Sequence, residues 1–380
     1  MIKNILIEDK LTHHLEELRV FCENSHIILY GAGLTGAGII TKLKSLNVNP
    51  LSIVDDTPAK QGKDLLGVPI IPSNDLKNVE GDFAIIVTMI NPSMDFFSFK
   101  ENLKKNGYKN VFSFLELNQL YPDTFLPFMH FDVREYFIGE QPRIEEALSL
   151  FKEEKSRDIF LNNLKFRLNM DFENLSKGDH QDYFPDDVIK IKENSVFVDC
   201  GAFDGDTLHS FISKNPSFSK AFAFEPDPIN FAKLLSYCAD LPSETSSRTY
   251  VYNAGLSDKH GFLKFSSLNN MASSLDSDGD SIIQTLSLDE FCYPILKDFE
   301  DEILIKMDIE GEEPNAIKAC EDLIKNKISH LAISIYHNPN DLWHIPLMIK
   351  EIDSNYNFLL RQHGNDSMDL VLYAIKKDDN

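Results

Sequence analysis

The chain lacks the features that are typical of proteins that bind nucleic acids or membranes. Basic residues are few, because 37 Lys and Arg stand against 60 Asp and Glu, and the formal net charge is −23. Nucleic acids and anionic membranes are polyanions, so this charge argues against both as partners. Apolar runs such as Phe83–Val87 are far shorter than the about 20 residues of a membrane-spanning helix. We expect no nucleic-acid partner and no membrane span.

Cysteine is also sparse. The five cysteines are scattered and form no Cys-x-x-Cys pair, so the sequence indicates neither a zinc site nor a disulfide framework. Reduced thiols are typical of the cytoplasm, where we expect this protein to reside. No other ligand spacing supports a metal, and we predict a site without a metal ion.

The most informative segment is Val196–Thr207, which reads VFVDCGAFDGDT. Its apolar start is typical of a buried strand, and its two glycines let the backbone turn tightly and approach a ligand. The loop is not the dinucleotide motif G-x-G-x-x-G, and its carboxylates would repel a pyrophosphate. The cation S-adenosylmethionine fits better. The predicted donor-binding residues of this segment are Asp199, Gly201, Asp204, Gly205, Asp206 and Thr207.

A second acidic residue, Glu225, ends the next apolar run, Ala221–Phe224. This order of elements is typical of the nucleotide-binding end of a doubly wound sheet: a strand, a glycine loop, a helix, and a second strand that ends in an acidic residue. Ligands there lie beyond the carboxyl ends of the strands. We predict that Glu225 binds the ribose hydroxyls of the donor, and that Asp227 and Asn253 complete the donor site. One of the loop aspartates is expected to cap the following helix instead.

Charged residues follow two further predicted strands. Lys306, Asp308 and Glu310 alternate, so they share one face of an extended chain. Burying three charged groups at one strand end is costly without a purpose, and this carboxylate pair could orient the acceptor, act as a base or bind a divalent cation. His337 ends the next strand, and its ordinary pKa makes it our choice of general base. We predict Asp308, Glu310 and His337 as catalytic, and Lys306, Tyr336, Ser274 and Tyr183 as substrate-binding.

The predicted fold class is α/β, with two Rossmann-like domains. The second domain, 191–380, has predicted strands at 196–199, 221–224, 249–253, 303–307, 330–336, 356–361 and 369–376. The last two are predicted to form a hairpin, and a seven-stranded mixed sheet with such a hairpin is typical of class I methyltransferases. A helical connector is predicted over 121–190, after a smaller domain over 1–120.

The smaller domain carries its own glycine loop. Gly31, Gly33 and Gly36 match G-x-G-x-x-G after a predicted strand over 26–30, and Asp55 lies where a ribose-binding acid belongs. Further strands are predicted at 51–54, 83–88 and 110–114. The loop either binds a ligand or only allows close packing of helix on strand, and the second mononucleotide half of a dinucleotide-binding domain is missing.

The motifs of the second domain resemble those of the FkbM family of S-adenosylmethionine-dependent methyltransferases. The matching segments are Gln181–Pro185, Val196–Thr207, Phe224–Asp227, Asn253–Asp258, Ser287–Asp289, Ile305–Glu312 and Ser334–His337. The resemblance implies a class I methyltransferase fold and O-methylation of a sugar, nucleotide-sugar or glycan, often in bacterial surface-polysaccharide biosynthesis. The donor-site roles of Asp199, Gly201 and Glu225 carry over from it.

The smaller domain resembles the Rossmann-like domain of some sugar-modifying acyltransferases. The similar segments are Tyr30–Gly33, Val54–Asp56 and Gly67–Ile70, and the resemblance implies that the loop can hold a nucleotide-sugar. Two other functions stay open from the sequence. One is an NAD-dependent oxidoreductase working through this domain, and the other is a non-catalytic scaffold in which this domain forms a homodimer.

Overall fold

The structure, a computed structural model, describes residues 2–89, 91–181, 183–266, 274–275 and 281–377. The chain divides into two compact units. The first is made of Met1–Gln141, Leu161–Gly178 and Gly364–Met368, and the second of Pro142–Phe160, Asp179–His363 and Asp369–Asn380. The segment predicted as a connector is thus divided between the units. The predicted domain boundaries themselves stay a prediction.

A six-stranded sheet organises the first unit, in the order β3-β4-β2-β1-β5-β6. Its strands are β1 (Ile27–Tyr30), β2 (Ser52–Val54), β3 (Asp64–Leu65), β4 (Val68–Ile71), β5 (Ala84–Val87) and β6 (Val111–Ser113). Neighbouring strands from β4 to β6 are parallel, whereas β3 and β4 form an antiparallel hairpin. Each of the four strands predicted in this region is found. The β3–β4 hairpin was not predicted, since β3 has only two residues and Pro69 interrupts β4.

Both faces of this sheet are covered. Ile27 and Leu29 of β1 pack into one apolar cluster, and Ile28 packs into another on the opposite face. A parallel sheet that is buried on both faces needs a continuous apolar run in each strand. That requirement explains why these strands can be recognised from the sequence.

The helices of the first unit surround its sheet. They are α1 (Ile2–Ile7), α2 (Thr12–Glu23), α3 (Leu34–Ser45), α4 (Phe96–Lys105), α5 (Phe114–Leu120), α6 (Pro122–Phe125) and α7 (Arg134–Gly139). Short 3-10 helices cover Pro58–Lys60 and Ser73–Asn78. Two longer helices, α8 (Gln141–Leu150) and α9 (Glu154–Asn169), follow where the chain passes between the units.

A seven-stranded mixed sheet organises the second unit, in the order β16-β17-β15-β14-β7-β8-β9. Its strands are β7 (Val196–Cys200), β8 (Lys220–Phe224), β9 (Thr249–Tyr252), β14 (Ile303–Met307), β15 (His330–Ser334), β16 (Tyr356–Gln362) and β17 (Leu370–Lys376). The prediction of these seven strands and of the terminal β16–β17 hairpin is confirmed, and so is the class I methyltransferase type of sheet.

The order of the strands indicates which edge of this sheet binds a ligand. From β7 the chain proceeds through β8 to β9 on one side, and later from β14 to β15 on the other side. The carboxyl ends of β7 and β14, which are parallel neighbours, therefore flank the point where the strand order reverses. In open α/β sheets that point is where ligands bind.

The remaining elements of the second unit complete the layers around this sheet. A small sheet in the order β10-β13-β11-β12, which was not predicted, contains β10 (Gly255–Leu256), β11 (Gly261–Ser266), β12 (Ser274–Leu275) and β13 (Ser281–Leu286). The helices are α10 (Asp206–Lys214), α11 (Pro228–Ala239), α12 (Ser243–Ser246), α13 (Leu288–Leu296), α14 (Glu313–Lys318), α15 (Glu321–Asn326) and α16 (Asp341–Ile352). Among the described residues, no helix has both the length and the apolar character to cross a bilayer.

Candidate active site

Asp199, at the end of β7, lies fully buried beside a lysine. It faces Lys306 of β14 across the parallel ladder, and Lys306 Nζ lies 3.2 Å from Asp199 Oδ1. Burial raises the pKa of Asp199 to about 6, and the nearby ammonium limits that rise. The carboxylate predicted to meet the donor is therefore turned toward a buried cation of its own sheet.

Lys306 anchors the loop that follows β7. Its ammonium donates to the carbonyl oxygen of Gly201 at 2.5 Å and lies 5.1 Å from the ring centre of Tyr183. Its side chain is 4% exposed. Because its donors are directed at Asp199 and Gly201, Lys306 acts on the position of the loop, a role that differs from the predicted contact with substrate.

The two glycines of the loop are required by close packing. Gly201 has φ +83°, and a Cβ there would lie 1.9 Å from the carbonyl oxygen of Asp308. Gly205 has φ +95°, and a Cβ there would lie 2.9 Å from Tyr237 Cδ1. Neither position accepts a larger residue without strain. The two glycines were predicted to let the backbone approach a ligand. Close packing gives a second, structural reason for glycine at these positions.

Glu225 is the carboxylate best placed to receive a ligand. It follows β8 and is 6% exposed. Its Oε1 accepts the backbone N–H of Asp227 and its Oε2 accepts that of Phe203, each at 2.8 Å. A carboxylate has about four acceptor sites, so both oxygens keep capacity for further donors. Burial raises the pKa of Glu225 to about 7.

The other residues predicted for the donor site lie near the carboxyl ends of β7, β8 and β9, and several of them hold the backbone there. Asp227 caps α11 by accepting the backbone N–H groups of Ile229 and Asn230, and Asn253 donates to the carbonyl oxygens of Glu225 and Pro226. In the glycine loop, Asp204 is half-buried, while Asp206 is exposed in the first turn of α10 and Thr207 is buried. The expectation that Asp199, Asp204 or Asp206 caps the helix after the loop is wrong, because the N-cap of α10 is Gly205 and no side-chain cap hydrogen bond forms there.

A second group of side chains gathers beyond β14 and β15, and we call it the His337 cluster: Asp308, Glu310, Glu313 and His337. His337 Nε2 lies 3.4 Å from Asp308 Oδ1 and 3.7 Å from Glu310 Oε2. His337 Nδ1 lies 3.0 Å from Glu313 Oε1. The three residues predicted as catalytic are thus brought together, although 27 or more positions separate His337 from the two acids in the chain.

Glu313 was missed by the sequence reasoning. Its side chain is fully buried, and its two oxygens accept the backbone N–H groups of Ile309 at 2.8 Å and Gly311 at 3.1 Å. These bonds hold the turn after β14, where Glu310 has φ +56° and Gly311 has φ +102°. The available signal was an acidic residue directly before Pro314, at the start of a helix.

The charges of the cluster depend on one another. Burial opposes a charge on His337, but the carboxylates of Glu313, Glu310 and Asp308 outweigh it and hold the pKa of His337 well above its usual value. Burial raises the pKa of Glu310 to about 8 despite the imidazole. Burial alone would raise the pKa of Asp308, but the positive charges of His337 and Lys306 outweigh it and keep the pKa below its usual value. The surrounding carboxylates thus favour the protonated form of His337.

Tyrosines border the cluster. The Tyr183 hydroxyl donates to Asp308 Oδ2 at 2.6 Å and lies 3.2 Å from Ser334 Oγ. Burial and the charge of Asp308 raise the pKa of Tyr183 well above its usual value, so it stays a donor. The Tyr336 ring is buried, with its centre 4.3 Å from that of His337. Ser274 is in β12, but its side chain lies outside the described residues.

The glycine loop of the first unit is closed by its own residues. Asp55 Oδ2 accepts the backbone N–H of Ala32 at 3.1 Å and lies 2.7 Å from Lys60 Nζ, which also donates to the carbonyl oxygen of Ala32. Burial opposes the charge on Asp55, but hydrogen bonds from Lys60 and Thr57 lower its pKa to about 2. The predicted ribose-binding acid is therefore an ionised partner of Lys60.

Packing explains two of the three glycines in that loop. A Cβ on Gly36 would lie 2.3 Å from the carbonyl oxygen of Gly31, and one on Gly31 would lie 2.7 Å from Met89 Cγ. Gly33 is different, because a Cβ there would meet no atom within 4 Å. Close packing is thus one function of the motif, and ligand binding at this loop stays a prediction.

Comparison with known proteins identifies the second unit. Residues 199–365 match the family model described as "Methyltransferase FkbM domain". The predicted FkbM resemblance is confirmed, and this match supports methyltransferase activity. We call residues 199–365 the FkbM domain. The FkbM domain contains Glu225 and the whole His337 cluster.

A solved structure extends the likeness in fold. Methyltransferase FkbM from Methylobacillus flagellatus KT matches with a TM-score of 0.72 and 20% identity, over 96% of this chain and 98% of that one. At this identity the likeness shows the fold alone. The predicted resemblance of the first unit to acyltransferase domains stays a prediction.

Two further solved structures match about half of the chain at low scores. An rRNA methylase from Streptococcus thermophilus has a TM-score of 0.30 and 13% identity, over 49% of this chain and 89% of that one. Fibrillarin from Aeropyrum pernix in complex with S-adenosyl-L-methionine has a TM-score of 0.30 and 12% identity, over 50% and 70%. Scores this low support no conclusion about the FkbM domain. No curated protein matches the chain.

Proposed function

We propose that the FkbM domain transfers a methyl group from S-adenosylmethionine to a hydroxyl of a sugar, nucleotide-sugar or glycan. The observation that carries this proposal is Glu225, a nearly buried carboxylate at the carboxyl end of β8, held opposite the glycine loop that follows β7. A class I sheet binds its ligand at this edge.

The residues present fit the donor. Both oxygens of Glu225 keep acceptor capacity after binding the N–H groups of Phe203 and Asp227, and a ribose diol offers two donors to one carboxylate. Asp204 and Asp206 add negative charge beside the loop, which favours a sulfonium and an ammonium. When bound, S-adenosylmethionine supplies an electrophilic methyl group. Asp199 serves the site through Lys306 and the loop backbone.

The acceptor side is the His337 cluster. It follows β14 and β15, and β14 is the neighbour of β7. An acceptor hydroxyl must lose its proton during methyl transfer, and a positioned group that takes the proton typically contributes ~10²–10⁴-fold to the rate. We assign this task to the cluster as a unit, because Asp308, Glu310 and His337 share their protons. Tyr183, fixed on Asp308 Oδ2, positions the acceptor.

The acceptor class rests on charge and on the FkbM resemblance. A net charge of −23 disfavours polyanionic acceptors such as RNA, whereas sugar hydroxyls carry no such penalty. We place the reaction in bacterial surface-polysaccharide biosynthesis in the cytoplasm. Oxidation by NAD through the first unit is disfavoured, since Asp55 is committed to Lys60.

The test is a methyl-transfer assay with labelled S-adenosylmethionine and a panel of sugars, nucleotide-sugars and glycans, beside calorimetry of donor binding. Glu225→Ala removes the acceptor of two hydrogen bonds to a charged group, at about 1.5–3 kcal/mol each, so donor affinity falls at least about tenfold. Glu244→Ala, on the exposed surface of α12, is the matched control and keeps wild-type affinity. Unchanged donor binding in Glu225→Ala would contradict the donor site.

A further inference from the structure

We propose that the His337 cluster is a binding site for one divalent cation, held by His337 Nε2 and by carboxylate oxygens of Asp308 and Glu310. Ligand atoms of Asp308, Glu313 and His337 lie within 4.8 Å of one another. Glu310 Oε2 is on the Nε2 side of the ring, 3.7 Å away. This proposal replaces the metal-free site expected from the sequence.

Three buried atoms in the cluster have no hydrogen-bond partner among the described residues, and they are His337 Nδ1, Asp308 Oδ1 and His337 Nε2. The last two face each other at 3.4 Å. The His337 side chain is 5% exposed, so solvent scarcely reaches it. Buried polar atoms are nearly always hydrogen-bonded, and a bound cation would satisfy Asp308 Oδ1 and His337 Nε2 at once.

The oxygens of Asp308 are divided between two tasks. Oδ2 accepts the Tyr183 hydroxyl at 2.6 Å, which fixes the plane of the carboxylate and leaves Oδ1 directed at His337. The ammonium of Lys306 is directed at Asp199 and at the carbonyl oxygen of Gly201 instead. Buried carboxylates are normally paired or coordinate a metal, and the cluster has more carboxylates than the single imidazole can neutralise.

Glu313 has the position of a carboxylate that supports a metal-bound histidine. It lies 3.0 Å from His337 Nδ1, on the side of the ring opposite Asp308 and Glu310. Its own oxygens are held by the N–H groups of Ile309 and Gly311, so it cannot readily turn away. A metal-binding histidine usually directs its other ring nitrogen at such a carboxylate. A cation at Nε2 would displace the proton from that nitrogen, and Glu313 would then hold the proton that stays on Nδ1.

The donor set indicates the class of cation. One imidazole nitrogen and two carboxylates suit Mn²⁺ or Zn²⁺ better than Mg²⁺ or Ca²⁺, which prefer oxygen ligands alone. Three protein ligands leave coordination positions for a substrate oxygen. If the proposed methyl transfer is correct, a cation here lowers the pKa of the acceptor hydroxyl. The metal site thus deepens the proposed function, but the binding of the cation does not depend on it.

The experiment titrates metal-depleted protein with Mn²⁺ and follows free Mn²⁺ by electron paramagnetic resonance, without donor or acceptor. We expect one Mn²⁺ per chain in the wild type, and binding at least ~10-fold weaker in Asp308→Asn, His337→Gln and Glu313→Gln. Glu310→Gln should show the same loss of Mn²⁺ binding. The Glu310 side chain is 33% exposed, so this variant should fold normally. His260→Ala disrupts an exposed His–Glu pair elsewhere and binds like the wild type.

The outcomes separate the two proposals. Glu225→Ala should keep Mn²⁺ binding while it loses the donor, which would support the metal site independently of catalysis. No binding by the wild type at millimolar Mn²⁺ would overturn the proposal. Equal affinity in the wild type and in Glu310→Gln, Asp308→Asn and His337→Gln would overturn it as well. Circular dichroism of each variant establishes that it is folded, and a folded variant that loses Mn²⁺ supports the site.

Discussion

Lys306 and Asp199 face each other on neighbouring strands β14 and β7, and their charged atoms lie 3.2 Å apart with both side chains buried. The pair lies directly beneath the proposed donor edge, because Lys306 also holds the carbonyl oxygen of Gly201. A buried ion pair contributes little net stability, but removal of one partner leaves an uncompensated charge. The pair is therefore essential even if it is not strongly stabilising.

We predict that Lys306→Met destabilises the protein by about 3–5 kcal/mol, because Asp199 is left buried and unpaired. The double variant Asp199→Asn/Lys306→Met should recover part of this loss, since it removes the remaining charge. Lys325→Met, which breaks an exposed pair with Glu321, should cost less than about 1 kcal/mol. Urea unfolding measures all three. A Lys306→Met variant as stable as the control would show that Asp199 is not charged in the fold.

Donor affinity should depend on pH through Glu225. Burial raises its pKa to about 7, and only the ionised carboxylate accepts two ribose hydroxyls. As the pH falls through 7 the carboxyl takes up a proton and affinity falls, so binding of the demethylated product should be about tenfold weaker at pH 6 than at pH 8. Calorimetry at both pH values checks this. Glu225→Gln should bind weakly and equally at both, and a persistent pH dependence in that variant would assign the effect to another group.

Turnover should depend on the His337 cluster. We predict that His337→Ala lowers methyl transfer by ~10²–10⁴-fold, the usual contribution of a positioned acid or base, while donor affinity changes little. Asp308→Asn should lose activity to a similar degree, and His260→Ala should not. Labelled-donor kinetics with saturating acceptor measure these losses. If His337→Ala keeps wild-type turnover while Asp308→Asn is inactive, then Asp308 is the base and His337 is not required.

Gly201 should tolerate no side chain. The added Cβ of Gly201→Ala would lie 1.9 Å from the carbonyl oxygen of Asp308 at φ +83°, so we predict a loss of at least about 1–3 kcal/mol. Gly38→Ala is the matched control, since Gly38 lies in α3 with no atom within 4 Å of the added carbon, and alanine there should stabilise the helix by about 0.5–1 kcal/mol. Thermal unfolding distinguishes the two. Similar melting temperatures would mean that the loops after β7 and β14 can separate without cost.

The loop after β1 should bind a nucleotide-sugar. It leads into the N-terminus of α3, where the backbone N–H groups favour a negatively charged ligand group. We predict a rise in melting temperature with part of a nucleotide-sugar panel. Gly33→Ala should abolish that rise without a change in basal stability, since the added carbon meets no protein atom. Glu80→Ala, at an exposed position of the same unit, should behave as the wild type. Equal melting temperatures across the panel would favour the alternative that this unit mediates dimerisation.

Much of the fold could be predicted because buried parallel strands are continuous apolar runs. Val196–Val198 and Ile303–Ile305 are of this kind, and polar residues follow each of them. The β10–β13 sheet escaped prediction for the opposite reason. Phe262 of β11 and Ile282 of β13 are each 74% exposed, so hydrophobicity there does not follow burial and gives no reliable alternation.

The site was predictable in its location and less so in its contacts. Asp308, Glu310 and His337 could be grouped because adjacent parallel strands end at one edge. The partner of Asp199 depends on the register of β7 against β14, and the partner of His337 depends on how the first turn of α14 closes on the loop before it. Such contacts join residues that are distant in the chain, and single-sequence patterns do not encode them.

The ladder between β7 and β14 continues past the end of β14, because the backbone N–H of Asp308 donates to the carbonyl oxygen of Cys200 at 3.0 Å. Lys306, which holds the loop of the proposed donor site, and Asp308, which begins the proposed acceptor site, are therefore two residues apart on one hydrogen-bonded strand. Two residues of strand span about 6.6 Å. The spacing between the two proposed sites is thus fixed by the backbone of the central sheet. A change of acceptor preference would have to come from the surrounding side chains and loops, because this spacing cannot change without breaking the sheet.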